Sequence, residues 1–423
     1  MEDIKIDTNS YMELVGETIR ELDSIMEVSV KERLKDMAKS AMGRSVRSKD
    51  PMFWPAGMLM LGLVEARGLI VRECFDKAEN CIVSTERTIG DIEAAILRQV
   101  KLWRDGYRSK IDYIDDALAG AALLKLYEQG EDAPALGGME NSGSGHCKSG
   151  QEICAGKYAI SSEIIDMCRF AADRIYEYLL NAKRDPQGTI VYNPGRNAAN
   201  VFADGVGQTS MFLALYGKVF GSRQALDIAR TQLVNYMKFG CDERSGLIYH
   251  GYSLEKNHDG NLKVTKKGLL SWGRAAGWLM IGLSEYVAAA SEHGEPGQGD
   301  SDDLLVNWYK ELSATLLSYQ RSDGCFSWQV QATDGPIDTS ATGMILYGLG
   351  SFYEGKDRSK ANGNEEYKDG INLALSGMLG NISAGRVGNA LSSCDDFGVH
   401  YQSYGHYPWG QGAVLAALSS NMS

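Results

Sequence analysis

The helical spacing of apolar residues is the feature that most constrains how this chain folds. Such stripes recur in about a dozen segments along the 423 residues, with apolar side chains three or four positions apart. Representative stripes are Ile92, Ile96, Val100 and Trp103; Met211, Phe212, Leu215 and Val219; and Leu226, Ala229 and Leu233. Because an amphipathic helix buries its apolar face against another element, we expect helices packed on helices.

Strand-like segments are few and short. They are Thr189–Tyr192, Leu247–Tyr252 and Cys325–Val330, each bounded by Gly or Asp turn signals. The sequence therefore predicts an all-α protein with a few short strands at one end.

Short polar or Gly-containing turns join the helices in pairs, for example 206–220 with 222–238. About twelve helices in six hairpins would close into a toroid, an (α/α)6 barrel around one pocket. No repeat of fixed period is visible, which argues against a solenoid. We expect residues 1–423 to form this single (α/α)6 domain, with a Gly/Ser-rich insertion at about 129–156.

Charge restricts the partners of this chain. The formal net charge is −12, from 43 Lys and Arg against 55 Asp and Glu. An acidic chain lacks the basic face that phosphate contacts need, so we expect no nucleic acid partner. An anionic small substrate would need local cations, such as Arg196 or Arg274.

The chain shows no signals for export or for a cofactor. Its acidic start lacks a basic region followed by an apolar run, and no stretch approaches the roughly 20 apolar residues of a membrane span. The eight cysteines show no CxxC spacing and suit reduced thiols, so we expect a cytoplasmic protein. We also expect a monomer or homodimer without a membrane partner. His146, Cys147 and Cys154 lack a fourth zinc ligand, and no nucleotide or metalloprotease motif occurs, so no metal and no cofactor are expected.

The heptapeptide Trp272–Trp278 joins two indoles, Arg274 and two glycines. Indoles stack on pyranose faces and a guanidinium pairs with carboxylates, so a sugar-binding surface is one interpretation. A Trp-rich core helix over 269–287 with closely packed glycines is the other. The heptapeptide alone does not choose between them.

Two acidic sites precede predicted helices. Asp204 stands before the apolar helix 211–219 and is either an N-cap or a general acid, since apolar and aromatic surroundings favour a protonated carboxyl. Asp112 lies between Ile111 and Tyr113 before a helix predicted over 113–128, where it either faces inward or caps that helix together with its neighbouring acids. If Asp112 faces inward, the two carboxylates form the acid/base pair of a glycosidase, or one acid and a positioning group.

Further polar and aromatic residues mark element boundaries. His250 lies on a short aromatic strand or turn, where a structural role is common for a histidine. Trp54, His406 and Trp409 stand at the starts of predicted helix pairs. Such residues either staple hairpins together or line a sugar cleft, and both patterns look alike in sequence.

Several of these segments, in chain order, resemble the unsaturated glucuronyl and unsaturated rhamnogalacturonyl hydrolases, glycoside hydrolase families 88 and 105. They are Asp204–Gly205 with Met211–Gly217, then Gly246–Gly251, Trp272–Trp278 and Asp338–Thr342. The resemblance runs from about Trp54 to Trp409 and implies an (α/α)6 barrel. It also implies hydration of the C4=C5 enol ether of a 4,5-unsaturated uronic acid at a non-reducing end, in place of attack at the anomeric carbon.

The same resemblance implies roles for individual residues. Asp204 matches the acid/base that protonates C4 and activates water, and Asp112 matches the second Asp. The sugar subsite would be lined by His250, Trp272, Arg274 and Trp278. Tyr192 and Asn193 stand where the rhamnogalacturonyl enzymes tend to carry a His, and Trp54, His406 and Trp409 complete the predicted substrate-binding set.

The expected substrate is a small anionic unsaturated oligosaccharide, with pectin or rhamnogalacturonan favoured as its source. Two other functions stay open: a conventional inverting glycosidase or sugar epimerase on the same toroid, and a carbohydrate-binding toroid without catalysis.

Overall fold

The structure is a computed structural model that describes residues 6–28, 34, 37, 38, 41, 49–76, 83–137, 158–192, 199–256, 259–292, 299–351, 365–393 and 402–422. These residues form twelve α-helices: α1 (Thr8–Ser24), α2 (Trp54–Asp76), α3 (Val83–Lys101), α4 (Ala117–Gly137), α5 (Ser162–Leu180), α6 (Ala203–Phe220), α7 (Arg223–Gly240), α8 (Gly273–Glu292), α9 (Gly299–Ser318), α10 (Thr339–Ser351), α11 (Glu365–Leu379) and α12 (Pro408–Asn421).

Alternate helices form two concentric rings. In the described chain, α2, α4, α6, α8, α10 and α12 each pack against the next, and α12 packs back on α2 to close the inner ring. The helices between them lie outside: α3 packs on α2, α5 on α4, α7 on α6, α9 on α8 and α11 on α10, while α1 contacts both α2 and α12. This arrangement is the (α/α)6 barrel that the sequence predicts.

Inner and outer helices differ in composition because they are buried differently. Every residue of α12 from Trp409 to Ser420 is buried, as expected for a helix surrounded by other helices. The outer helix α1 buries only one stripe, formed by Tyr11, Leu14, Val15, Thr18 and Leu22. The apolar stripes seen in the sequence are therefore most regular in the outer ring.

The inner helix α2 has the length and composition of a membrane span over Trp54–Cys74, with a mean hydropathy of 1.3. The sequence analysis found no such stretch. In the most apolar stretch of this helix, 83% is buried inside the fold, because inner-ring neighbours and outer helices cover it. Such burial is what an all-round apolar core helix requires.

Close approach of α6 and α8 depends on glycine. A Cβ added to Gly207 would collide with the backbone at Trp278, and one added to Gly282 would lie 2.5 Å from the Gly207 carbonyl oxygen. The glycines inside the predicted helices therefore let two backbones pack directly against each other.

Within the described ranges, the strands form one three-stranded sheet and two small hairpins. The sheet has the order β1 (Asn200–Phe202), β2 (Tyr249–Lys256), β3 (Leu262–Leu270), all antiparallel. The hairpins pair β4 (Ile382–Ser383) with β5 (Arg386–Val387) and β6 (Ala390–Leu391) with β7 (Tyr404–Gly405).

The predicted strands are only partly correct. Leu247–Tyr252 overlaps β2, whereas Thr189–Tyr192 and Cys325–Val330 contain isolated bridges only. Strand β3 was missed because its side chains are largely exposed and show no buried alternation. The helix predicted over 269–287 consequently begins later, at Gly273.

The predicted boundary of the Gly/Ser-rich insertion is also corrected. A 3-10 turn, Ile114–Asp116, precedes α4, and α4 continues to Gly137, so residues 129–137 are helical. Glycine suits position 130 because Ile165 of α5 packs where a Cβ atom would lie. The rest of the predicted insertion, including His146, Cys147 and Cys154, lies outside the described residues.

The connectivity places all inner-helix N-termini at one end of the barrel. Each inner helix leads into an outer helix that runs back, so the inner helices are parallel to one another. We call this the site end, because Trp54, Asp204, Trp272 and Trp409 all lie at these N-termini.

Candidate active site

Asp204 and His250 are brought together by strand pairing. Asp204 lies in the first turn of α6, directly after β1, and β1 pairs with β2 so that Phe202 stands opposite Gly251. The β2–β3 register shifts between Tyr249 and Gly251, a bulge that re-aims the intervening His250. The His250 Nε2 atom lies 3.2 Å from Asp204 Oδ2.

Aromatic rings hold the imidazole in place. The His250 ring contacts Trp272 with a centroid distance of 4.3 Å and Phe202 with one of 5.1 Å. Ser271, just before Trp272, has a φ of 65°, a left-handed conformation that L-residues rarely adopt. Its N–H donates to the Ile248 carbonyl at 2.8 Å, which fixes Trp272 against β2. The Asp204 side chain stays 20% exposed, so a ligand can reach it.

Further aromatic residues continue around the site end. The Trp54 ring contacts that of Trp278 edge-on, with a centroid distance of 6.1 Å, and that of Trp409 with one of 5.0 Å. The Tyr407 ring stacks on Trp409 with a centroid distance of 4.8 Å. Trp272 and Trp278 are only 2% and 1% exposed, so they are walls with little free face for a sugar. The interpretation of the heptapeptide as an open stacking platform is therefore corrected. Trp54 is partly exposed and offers more surface.

Arg274 binds the protein itself in this structure. Its guanidinium donates to the carbonyls of Leu391 at 2.8 Å and Ser392 at 2.9 Å, and lies 3.7 Å from the Asp338 carboxylate. It also stacks over Trp272 at 4.8 Å. With 2% of its surface exposed, Arg274 ties the β6 segment to α8, an engagement that its sequence context did not predict.

Asp112 lies at the surface, whereas its position between two apolar residues had suggested an inward orientation. It is exposed and pairs with Lys110 at 2.7 Å. The segment is extended before the 3-10 turn, so Lys110 and Asp112, two positions apart, point to the same side. The buried acids are Asp115 and Asp116, which are 1% and 0% exposed.

The two buried acids have different partners. Asp116 Oδ2 accepts from the backbone N–H groups of Asp112 at 3.4 Å and Tyr113 at 3.3 Å, which is a capping role. Asp115 Oδ2 accepts from the Tyr192 hydroxyl at 2.8 Å. The expectation that at least one of these acids caps the helix is confirmed for Asp116.

Tyr192 links Asp115 to the helix that carries Asp204. A Cβ added to Gly205 would lie 2.9 Å from both Ile114 Cδ1 and Tyr192 Cδ2, so glycine is needed for Tyr192 to lie against α6. Tyr192 also contacts Phe202 at 5.0 Å. Tyr192 thus lies against the helix of Asp204, and its role in substrate binding stays a prediction. Asn193 lies outside the described residues.

Asp338 is a buried acid whose neighbourhood the sequence did not show. Its Oδ1 accepts from the backbone N–H of Ser340 at 3.0 Å and that of Leu391 at 3.1 Å. The Trp409 indole N–H donates to the Leu391 carbonyl at 2.9 Å. The backbone of Leu391 in β6 is therefore held by Arg274 of α8, by Asp338 just before α10 and by Trp409 of α12, at separations of 117, 53 and 18 positions in the sequence.

His406, predicted to bind substrate, contacts the outer helix α1. Its Nδ1 lies 3.0 Å from the Val387 carbonyl and its Nε2 lies 3.3 Å from Glu21 Oε2. The Glu21 carboxylate raises the pKa of His406 above 6.5, against a smaller lowering by burial. This contact anchors the segment before α12.

We expect the His406–Glu21 contact to make stability depend on pH. The folded-state pKa of His406 is raised, so the stabilisation is complete below about pH 6.5 and is lost as pH rises through the folded value. The difference in Tm between wild type and Glu21→Gln, measured by calorimetry from pH 5.5 to 9, should shrink as pH rises. Glu17→Gln, which removes a carboxylate paired with Arg20 and Arg386, is the control and should show no such trend. A constant difference for Glu21→Gln would contradict the assignment.

Among the described residues, no group of three or more His, Cys, Asp or Glu side chains is arranged to hold a metal ion. The groups that the structure brings together here are the carboxyl of Asp204 and the imidazole of His250, beside the rings of Trp272 and Phe202.

Comparison with known proteins defines the class. Residues 161–422, more than half of the chain, match the sequence profile of Glycosyl Hydrolase Family 88. The protein is therefore a glycoside hydrolase. Within that class it belongs to glycosyl hydrolase family 88. A comparison with curated protein sequences gives no significant match.

Solved structures share the fold at low sequence identity. A protein from Klebsiella pneumoniae, described as a possible member of family 105, is 14% identical with a TM-score of 0.67, over 99% of this chain and 94% of that one. A family 105 glycoside hydrolase from Clostridium acetobutylicum is 18% identical with a TM-score of 0.58, over 91% and 98%. The unsaturated glucuronyl hydrolase of a Bacillus species, described as responsible for glycosaminoglycan degradation, is 12% identical with a TM-score of 0.58, over 97% of each chain.

Proposed function

We propose that this enzyme removes a 4,5-unsaturated uronic acid from the non-reducing end of oligosaccharides made by polysaccharide lyases, with Asp204 as its acid/base. The observation that carries the proposal is the Asp204–His250 pair, a partly exposed carboxyl 3.2 Å from an imidazole packed against aromatic rings. The activity named for the structurally similar Bacillus protein supports it. Pectin or rhamnogalacturonan fragments are the first substrates to test.

The barrel favours an anionic sugar despite the net charge of −12. All inner helices direct their N-termini toward the site end, and each N-terminus carries a partial positive charge of roughly half a unit. Unsatisfied N–H groups at such termini bind carboxylates readily. This local field attracts an anion although Arg274 is engaged with backbone carbonyls. Arg196, the other cation that the sequence suggested, lies outside the described residues.

The proposed reaction needs one proton donor and one water. The Asp204 carboxyl protonates C4 of the electron-rich C4=C5 bond, and its carboxylate then takes a proton from the water that adds at C5. The resulting hemiketal opens to a ketone at C5, and the hemiacetal left at C1 releases the aglycone as an alcohol. His250 positions the Asp204 carboxyl and polarises it through their 3.2 Å contact.

The position of an incorporated oxygen label separates this reaction from a conventional one. With enzyme and lyase-generated disaccharide in heavy-oxygen water, hydration places the label at C5 of the uronate, as mass spectrometry of the fragments can show. An inverting glycosidase would label C1 instead. That alternative needs a second carboxylate open to water, whereas Asp115 is 1% exposed and bound by Tyr192. An epimerase releases no aglycone, and a pure binding protein would hold saturated sugars without turnover.

We also propose that Asp115, in place of Asp112, is the second functional acid and acts through Tyr192. Removing the hydroxyl in Tyr192→Phe deletes one hydrogen bond to a buried carboxylate, which is worth about 1.5–3 kcal/mol. We expect the melting temperature to fall by about a few degrees and kcat, measured well below the melting transition, to fall by about tenfold or more. Tyr176→Phe, which removes a hydroxyl bonded to Gln224 on the outer surface, is the control and should keep full activity. Equal activities of the two variants would contradict this role.

The proposed compartment is the cytoplasm, with the enzyme acting as a monomer or homodimer. Its support is that Cys168, Cys241 and Cys325 are free thiols in the described part of the chain, as a reducing environment maintains them.

A further inference from the structure

A surface cleft lies at the site end, separate from the Asp204–His250 group. Its volume is 440 Å³, enough for a pyranose ring, and it opens between the segment after α3 and the last turns of α5. Its lining includes Tyr107, Arg108, Lys110, Arg174, Tyr178 and Asn181. None of these residues belongs to the site described above.

The cleft carries more positive than negative charge. Arg174 pairs with Glu177 at 2.6 Å and Lys110 pairs with Asp112 at 2.7 Å, while Arg108 adds a third, exposed cation. Both paired cations remain accessible, with 46% of the Arg174 side chain and 70% of the Lys110 side chain exposed. In a chain of net charge −12, this local excess favours an anionic ligand.

The loop that presents Arg108 is held in an unusual conformation. Arg108 and Ser109 have φ values of 56° and 53°, in the left-handed region that favours glycine. The loop follows a π-helical turn, Leu102–Gly106, and is anchored by the buried Trp103, whose indole N–H donates to the Lys110 carbonyl at 2.8 Å. Strained residues and π-turns concentrate at ligand sites, so this conformation needs a functional reason.

The cleft is connected to the helix of Asp204 through hydrogen bonds, which lead from Tyr178 in its lining to Tyr192. The Tyr178 hydroxyl donates to the Asp112 carbonyl at 3.0 Å, and the following turn carries Asp115, which binds Tyr192. Burial raises the pKa of Tyr178 to about 12, with the Asp116 carboxylate adding to it, so the phenol stays a neutral donor. Tyr107, 38% exposed, adds an accessible aromatic ring. One ring and several cations are what a uronate residue requires.

We propose that this cleft binds a uronate residue of the oligosaccharide, away from the bond that is broken. The proposal rests on the proposed function for the nature of the oligosaccharide. It makes longer acidic fragments better substrates than the disaccharide, because a second anionic residue is held at the rim while the unsaturated end reaches Asp204.

Binding is tested in the full-length Asp204→Asn enzyme, which separates it from turnover. Saturated digalacturonate is titrated by calorimetry at low and high salt, with galactobiose as the uncharged matched ligand. We expect digalacturonate to bind, galactobiose not to bind, and Arg108→Gln with Arg174→Gln to weaken the binding by about fivefold or more. Arg87→Gln is the control, since Arg87 is an exposed arginine paired with Asp91 at the opposite end of an outer helix, and it should bind normally.

Turnover by the otherwise wild-type enzyme provides the second measurement. The double variant should raise KM for unsaturated fragments that carry a second uronate, and leave kcat and KM unchanged for an unsaturated disaccharide whose second sugar is neutral. Digalacturonate binding that is absent, that galactobiose matches, or that the double variant retains would overturn the proposal. Loss of binding in the double variant without a change in KM for longer fragments would assign the cleft to a separate acidic polysaccharide and overturn its role in substrate binding. If wild type binds digalacturonate in the cleft but turns over no unsaturated substrate, the proposed function fails and the cleft stands.

Discussion

Replacing Asp204 with asparagine should lower the turnover of lyase-generated unsaturated disaccharides by about 10³-fold, within the range expected for a general acid–base group. Asn preserves the size of the side chain and its contact with His250, but it cannot donate a proton to C4. The rate is measured as the loss of the unsaturated uronate absorbance. Asp204 lies in the first turn of its helix, and its side chain is 20% exposed. We therefore expect the Asp204→Asn variant to keep the fold.

The matched control for this variant is Asp112→Asn. The resemblance to known families placed a functional role on Asp112, whereas the structure places it at the surface in an ion pair with Lys110. We expect Asp112→Asn to keep activity within about twofold, since exposed ion pairs contribute little. Full activity of Asp204→Asn would refute the assigned acid/base. A large loss in Asp112→Asn would restore the assignment made from sequence.

Replacing Lys125 with methionine should lower the free energy of unfolding by about 3–5 kcal/mol, the cost of leaving buried charges without their partner. Lys125, on inner helix α4, lies 3.1 Å from Glu285 of α8 and 3.4 Å from Glu65 of α2. Tyr347 of α10 donates to Glu65 at 2.6 Å. These four inner helices are therefore joined by one buried polar group, well inside the barrel from the site end.

The charge state of Lys125 explains why its removal lowers the free energy of unfolding so strongly. Burial alone lowers its pKa, but the carboxylates of Glu285 and Glu65 outweigh that effect and hold the pKa well above 10.5. Its contribution to stability is complete below the unfolded value near 10.4 and is lost only as pH rises through the folded value. The loss in Lys125→Met should therefore be the same at pH 6 and pH 9, unlike the effect of Glu21→Gln.

The measurement for Lys125 is thermal or denaturant unfolding, with Lys218→Met as the matched control. Lys218 also joins two inner helices, through a 2.7 Å pair with Glu128, but both side chains are about a quarter exposed, at 24% and 27%. We expect Lys218→Met to cost about 1 kcal/mol or less. Equal losses in the two variants would show that the buried group has no special role.

The sequence predicted the fold class because the fold depends on local patterns. Apolar residues at helical spacing and short turns were enough to predict paired helices, such as α6 with α7, and the number of pairs predicted a closed ring. It failed at β3, whose side chains are largely exposed and leave no pattern to detect. It also failed at the start of the 129–156 insertion, where Gly130 is a packing residue of a helix.

The candidate site was predicted in part, for reasons that differ from residue to residue. Asp204 was found by motif order, and the β1–β2 register brings it to His250. Tyr192 was named because it stands where the related enzymes carry a His, and the structure binds it to Asp115. The inward acid was placed three positions too early, because Asp112 and Asp115 have similar neighbours and only the turn before α4 separates surface from interior. Orientation at such a turn depends on backbone geometry that residue identity does not encode.

By itself, the sequence determined the helical hairpins, their number and the motifs that make the chain a member of its family, since each of these rests on neighbours within a few turns. Tertiary structure alone decided which groups are available for chemistry. The guanidinium of Arg274 is engaged by the carbonyls of Leu391 and Ser392, more than one hundred residues away, as their separations of 117 and 118 positions show. Asp115 is likewise held by Tyr192 across 77 positions. Closure of the ring makes these contacts, and no local pattern records them.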